Sequence, residues 1–272
     1  STHTIKHWSH HRFSQHMVAP TIQPYLGYSN TLQVDALGCS HQFTLLRPNT
    51  CKPSPVVFLM AGPDKLDYLE LLHLARRCFL PRDFACVVAN FVKPGNELPL
   101  NLFRSVAYTD LLLKRLWQQL EFQPFLDMQR VAVCGTKFGG HFALRCGALM
   151  PEVGAVINLF GPFDFSNIRY LEESVKQQVG QAFELHRDEQ LQNLGRIDLD
   201  LATLPAPQKP ILTIHQEQDE LFPPSNGSRV EEWAGNHCDF WEIGQQQDFT
   251  QLLSDARLTR FVINKLQIVN QV

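Results

Sequence analysis

Arg130-Val-Ala-Val-Cys-Gly-Thr-Lys-Phe-Gly-Gly-His141 carries the chain from a strand directly into a helix. Val131 to Cys134 form a short apolar run, the signature of a strand buried on both faces. Phe138 to Leu149 then read as a helix. Between them stand Gly135, Gly139 and Gly140 in a Gly-x-Lys-x-Gly-Gly pattern with Lys137 at its centre. A strand that turns into a helix without a loop brings backbones close together. Side chains at Gly135 and Gly139 are therefore expected to clash with neighbouring backbone. Gly140, Ala143 and Gly147 continue a small-residue face, which lets the helix lie tightly on a sheet.

The chain outward from this turn repeats the same alternation. Thr31–Leu37 and Gln42–Leu46 alternate apolar and polar residues and read as paired strands. Val56–Ala61 is a continuous apolar run ended by Gly62-Pro63. A helix is expected from Lys65 to Phe79, with Leu66, Leu69, Leu72 and Ala75 on its apolar stripe and Pro81 as its stop. Ala85–Ala89 is the next strand. A long helix is expected from Asn101, as N-cap, to Leu120, with Phe103, Val106, Leu113, Trp117 and Leu120 buried. Val153–Leu159, Pro210–His215 and Phe240–Ile243 are further strands, and Asp248–Leu266 a last helix. Strands alternating with helices predict an α/β fold: a mostly parallel central sheet with helices on both faces. Residues 1–30 read as an N-terminal extension and 31–272 as one domain. The polar, Gln/Glu-rich stretch 165–205 reads as a helical insertion after the sixth strand, placed to cover the carboxyl ends of the strands, where open α/β sheets bind ligands.

Composition narrows the function classes. The 272 residues carry 24 Lys and Arg against 27 Asp and Glu, a formal charge of −3, and the basic residues are dispersed. That balance argues against nucleic-acid binding by phosphate attraction. No apolar run reaches membrane-spanning length, so no membrane partner is expected. The 7 cysteines are odd in number, form no C-x-x-C pair and lie largely inside apolar runs. They predict a reducing, cytoplasmic setting without a structural metal. Cys134 is expected to be a core thiol. The histidines crowding the first 16 residues match no defined zinc spacing. No cofactor is expected.

The Gly-x-Lys-x-Gly turn resembles the nucleophile elbow of the α/β-hydrolase fold, G-x-S-x-G, with Lys137 where serine stands. The segment Pro210-Ile-Leu-Thr-Ile-His215-Gln-Glu-Gln-Asp219-Glu-Leu-Phe-Pro223 is similar to the H-G-x-x-D-x-x-x-P segment of those enzymes. The resemblance covers residues 31–268. It implies that Asp219 occupies the position of the triad acid, and His215 a structural position beneath its loop. It also implies an oxyanion or anion-binding site at the amides of Phe138 and of the Ala61–Gly62 turn. The triad histidine would fall in Gly244–Phe249, which holds three glutamines, with Gln247 the counterpart. His237 precedes the last strand and lies at the wrong end of the sheet. His141, in the first turn of the elbow helix, is expected to face solvent or the cleft. Val56–Val88, with Gly62-Pro63-Asp64 and Phe79-Leu-Pro-Arg-Asp83, narrows the resemblance to the FrsA family, the fermentation–respiration switch proteins. That family also carries a basic residue and a phenylalanine at the elbow. The resemblance implies esterase activity, a proposed cofactor-free decarboxylase activity and a protein partner. This chain departs from the family in its shorter N-terminal region and in having lysine where arginine is expected.

A lysine at the elbow changes the chemistry. Serine hydrolysis needs a nucleophilic oxygen and a positioned base. Lys137, near the positive end of a helix, can form an ion pair with Asp219, hold a small carboxylate or phosphate, or act as a neutral amine. The leading expectation is a non-hydrolytic FrsA-like protein with a degenerate triad, a pseudoenzyme that binds a small anion or regulates a partner. The alternatives are a carboxylic ester hydrolase and a lysine-dependent decarboxylase acting without a cofactor.

Overall fold

The computed structural model describes residues 27–36, 39–61, 65–90, 106–163, 173, 201–244, 251–252 and 255–266. The 1–26 part of the N-terminal extension, Gly62, Asn101, residues 165–200 of the expected insertion apart from Glu173, and Gln247 lie outside them.

Eight strands form one sheet: β1 (Gly27–Ala36), β2 (Cys39–Pro48), β3 (Ser54–Ala61), β4 (Ala85–Asn90), β5 (Leu126–Thr136), β6 (Val153–Leu159), β7 (Ile211–Gln216) and β8 (Cys238–Ile243). Their order is β1-β2-β4-β3-β5-β6-β7-β8. β1 and β2 form an antiparallel hairpin, and β2 also runs antiparallel to β4. Every pairing from β4 through β3 to β8 is parallel. Among the described residues, the connecting and flanking α-helices include α1 (Lys65–Leu74), α2 (Val106–Glu121), α3 (Phe138–Leu149), α4 (Ser225–Ala234) and α5 (Ala256–Lys265).

The alternation of side chains along each strand divides the core into two layers. Val56, Phe58 and Met60 of β3 pack with α2, α3 and α4, while Val57, Leu59 and Ala61 pack with α1 and α5. Every residue of β3 is buried. This explains its unbroken apolar run, because a central parallel strand is covered on both faces. At roughly 1.5–3 kcal/mol for each fully buried large apolar side chain, the central strands contribute most of the force that holds α1 and α3 in place.

Several boundaries differ from the sequence expectation. β1 starts at Gly27, and β5 extends back to Leu126. The expected last helix is broken at Asp255, which caps a helix running Ala256–Lys265; Gln251 and Leu252 before it are helical, and 248–250 and 253–254 lie outside the described residues. The helix after β3 is α-helical only to Leu74 and then widens into a π turn, Ala75–Phe79. Thr259 Oγ1 and Arg82 Nη1 both donate to the Cys78 carbonyl, which satisfies a group the widened turn exposes. The buried stripe of α1 is also rotated from the expected one. Asp67, Leu71 and Leu74 face inward, and Leu69 is 41% exposed. The leucines that follow each other at i, i+3 satisfy either phase, so the apolar pattern alone does not select the face.

Candidate functional site at the β5–α3 turn

The turn from β5 into α3 places Lys137 at the carboxyl edge of the sheet. Its backbone has φ 52° and ψ −122°, a region that L-residues seldom occupy. Such a conformation costs about 1–3 kcal/mol and persists only when the surroundings fix it. Here Lys137 N–H donates to the Leu159 carbonyl at 2.8 Å, and the Lys137 carbonyl accepts from Gly140 N–H at 2.9 Å. The glycines have the expected steric reason. A Cβ on Gly139 would stand 2.0 Å from the Met60 carbonyl oxygen, and one on Gly135 would stand 2.0 Å from the Gly139 oxygen. A Cβ on Gly147 would meet Val156 Cγ2 at 2.6 Å, so α3 lies directly on β6.

The ammonium does not pair with Asp219, as one reading of the sequence expected. Lys137 Nζ donates to Asp67 Oδ1 at 2.8 Å. Asp67 lies in the first turn of α1, where a helix favours negative charge, and its side chain is 1% exposed. The Lys137 side chain is 37% exposed, so the pair runs from the protein interior to the surface. Reaching α1 carries the ammonium toward β3, the neighbour of β5 on the side away from β7. Asp67 was not singled out in the sequence. The available signal was a lone carboxylate on the same helical stripe as Leu71 and Leu74.

Asp219 lies in the loop after β7, next to Gln218, whose φ is 60°. Its Oδ1 accepts from Leu221 N–H at 3.0 Å and Phe222 N–H at 2.9 Å. Partial burial raises its carboxyl above the usual carboxylate range, while those two amides and the charge of Lys137 pull it back. Phe138, the residue after Lys137, is buried, and its ring meets Phe222 edge-on at 5.1 Å. The turn and the acid loop are thus packed against each other. Ala61, at the end of β3, is 1% exposed and borders Gly139 of the turn. Its neighbour Gly62 and the expected base position Gln247 lie outside the described residues.

The histidines divide differently from expectation in one case. His141 faces neither solvent nor cleft: it is fully buried, with Nδ1 3.0 Å from the Pro162 carbonyl. The cause is the close seating of α3, which turns this face of its first turn toward Pro162. His215 is also fully buried and belongs to a polar network beneath the cleft. Asn158 Oδ1 accepts from Gly161 N–H at 2.8 Å, and its Nδ2 donates to the Gly161 carbonyl and to Thr213 Oγ1. Thr213 Oγ1 lies 2.9 Å from His215 Nε2. The hydroxyl and the ring share this hydrogen bond, and burial keeps the ring neutral. Burial lowers its pKa to about 4, partly offset by the nearby Phe222 backbone. His237 stands in the turn before β8, at the opposite end of the sheet.

The cysteines are core groups. Burial pushes the thiols of Cys86, Cys134 and Cys146 far up, and that of Cys78 to about 11. Cys134 therefore supplies no thiolate nucleophile. Among the described residues no cluster of His, Cys, Asp and Glu is placed to hold a metal, and no helix is long and apolar enough to cross a membrane.

The strand order, the antiparallel second strand and the strained strand-to-helix turn define an α/β-hydrolase fold. Known structures agree. A 2,6-dihydroxy-pseudo-oxynicotine hydrolase superposes with a TM-score of 0.72 at 17% identity, covering 90% of this chain and 70% of that one. An acylaminoacyl peptidase of Pyrococcus horikoshii gives a TM-score of 0.67 at 13% identity, covering 90% of this chain and 43% of the peptidase. At such identities the likeness is one of fold. The chain belongs to the FrsA-like esterase family, whose sequence model matches residues 32–185. It is 31% identical over 121 residues to the esterase FrsA of Photobacterium profundum, a match covering 44% of this chain and 28% of that protein. A similar match, 30% over 112 residues, links it to the esterase FrsA of Yersinia pestis, covering 40% of this chain and 26% of the relative. The chain thus spans little more than a quarter of the curated relatives it matches.

Proposed function

We propose that this FrsA-like protein uses its elbow to bind a small anion, a carboxylate or a phosphate, and does not hydrolyse esters. One observation carries the reading: the residue in the strained turn position is Lys137, and its ammonium is fixed by the buried carboxylate of Asp67 at 2.8 Å. An ammonium has no lone pair with which to attack a carbonyl. A carboxylate at this distance favours the proton staying on nitrogen, which also weighs against the decarboxylase alternative. The same ammonium, 37% exposed and carried by the N-cap residue of α3, suits an anion. Asp67 lessens the attraction without cancelling it, because the carboxylate is buried while the ammonium stays open to solvent. In this reading Lys137 and Asp219 stand at the positions of nucleophile and acid, Gln247 at that of the base, and Ala61, Gly62 and Phe138 border the anion. Within it, the protein acts in the cytoplasm.

Titration calorimetry of the purified chain with acetate and inorganic phosphate tests this. Saturable heat from at least one, lost in Lys137→Ala, is expected. No heat from either, or heat that survives Lys137→Ala, contradicts it.

The second reading is a carboxylic ester hydrolase. The esterase name of the curated relatives favours it, as does the position of Asp219 beside the turn. It requires an attacking group other than a serine at residue 137.

A further inference from the structure

The amino edge of the sheet, at the opposite end from the Lys137 turn, carries an open groove of about 900 Å³. Pro53, Leu126 and Met128 line it together with three carboxylates, Glu121, Asp127 and Glu152, and no lysine or arginine lines it. Asp127 is spent on Arg130, at 2.6 Å. Lys209 feels the charge of Glu152 but gives its hydrogen bond to the Met150 carbonyl at 2.7 Å. Among the described residues no group donates to Glu121 or Glu152. Apolar surface is also left in water here. Phe122, next to Glu121, is 84% exposed, and Leu149, two residues before the lining residue Pro151, is 40% exposed. A groove that combines apolar lining with unmet carboxylates suits a chain segment carrying aromatic and cationic side chains.

The chain itself supplies such a segment. Residues 1–26, outside the described residues, hold Lys6, Arg12 and five histidines but no Asp or Glu, with Trp8, Phe13, Met17 and Val18 among them. They join the fold at the same edge of the sheet as the groove. Gly27 opens β1 opposite Pro48. The Arg47 guanidinium stands 5.4 Å from the centre of the Tyr28 ring and 3.9 Å from that of Phe125. The Phe125 carbonyl accepts from Ser54 N–H at 3.0 Å, and their neighbours Leu126 and Pro53 line the groove. From β1 to β6, at the far side of the groove, five strand spacings make roughly 24 Å. The nine residues from Val18 to Gly27, at about 3.3 Å each when extended, cover about 30 Å. Lys6, Trp8, Arg12 and Phe13 are therefore all within reach of every part of the groove. We propose that residues 1–26 dock in this groove, with Lys6 and Arg12 meeting Glu121 and Glu152 and the aromatic side chains covering the exposed apolar surface beside them. Because the groove lies across the sheet from Lys137, docking leaves the proposed anion site uncovered.

Carbodiimide coupling tests this, because it joins an amine to a carboxylate only where the two touch. The full chain is coupled as an equal mixture of isotope-labelled and unlabelled protein, and its peptides are read by mass spectrometry. Lys6 should be joined to Glu121 or Glu152 of its own chain. Lys6 joined to the other isotopic form, joined only to carboxylates outside the groove, or not joined at all overturns the proposal. Trypsin gives a second reading. Glu121→Lys combined with Glu152→Lys, both on exposed side chains, should speed cleavage after Arg12 about tenfold, the worth of two exposed ion pairs. A change under threefold overturns the proposal. The coupling is read on the unaltered protein, so a poorly folded double variant does not leave the question open.

Discussion

Asn158→Ala tests whether the buried network beneath the cleft holds the turn in place. Asn158 is fully buried and makes three hydrogen bonds, two to the backbone of Gly161 and one to Thr213. Gly161 in turn lies against the site: a Cβ there would stand 2.6 Å from the Lys137 carbonyl oxygen and 2.8 Å from Gly140 Cα. Truncation strands the Gly161 N–H and carbonyl and takes one donor from the Thr213 hydroxyl, which keeps its bond with His215. Each stranded group costs about 1–3 kcal/mol, and a water entering the vacated volume returns part of it, so the expected loss is about 3 kcal/mol. At about 2–4 °C per kcal/mol for a domain near this size, the melting midpoint falls by roughly 6–12 °C. Urea unfolding followed by circular dichroism, with the slope m unchanged, measures this directly. Thr213→Val completes a double-mutant cycle, in which coupling of about 1 kcal/mol is expected between residues sharing a hydrogen bond. A loss below about 0.5 kcal/mol, the size of an ordinary surface substitution, refutes the idea that Asn158 clamps the turn.

Other perturbations act on the same parts. Gly139→Ala forces a methyl to within 2.0 Å of the Met60 carbonyl oxygen, a backbone atom that cannot swing away; a loss of about 4 kcal/mol or insoluble protein is expected, read by soluble yield and thermal melting. His215 binds its proton near pH 4 when folded, against 6.5 ordinarily, so its contribution is fully present above pH 6.5 and is lost as pH falls through 4. The window is worth roughly 3 kcal/mol, and the urea midpoint of His215→Gln should lose this part of its pH slope. Asp219, with its raised carboxyl, contributes with the opposite sign, so the difference between variant and parent isolates the histidine. Thiol titration of the native protein should label Cys51 quickly and leave Cys78, Cys86, Cys134 and Cys146 unreacted until denaturant is added, because the first is exposed and the others are buried.

The sheet was legible in the sequence because its central strands are buried on both faces. Val56–Ala61 and Val153–Leu159 are nearly unbroken apolar runs, the pattern such burial demands. The turn was legible for a steric reason: only glycine fits at 135 and 139, so their spacing around Lys137 records the contact of β5, α3 and β3. Edge strands were read too short, since half of their residues face solvent and the pattern fades at each end. The partner of Lys137 was not legible. Its identity depends on the rotation of α1, and the leucines of that helix fit two faces equally. Only the structure, with Leu69 outward and Asp67 at 1% exposure, selects one. His141 was misread for a related reason: a polar residue in a first helical turn is ordinarily outside, but the tight seating of α3 turns it toward Pro162.

Ester turnover by homogeneous protein tests the central claim most directly, because it asks whether a lysine at this turn has ended hydrolysis. Short-chain p-nitrophenyl esters should be released no faster by the parent than by Lys137→Ala and Asp219→Asn preparations purified in parallel. Saturable turnover in the parent that vanishes in both variants contradicts the account, and would make residue 137 part of a working esterase.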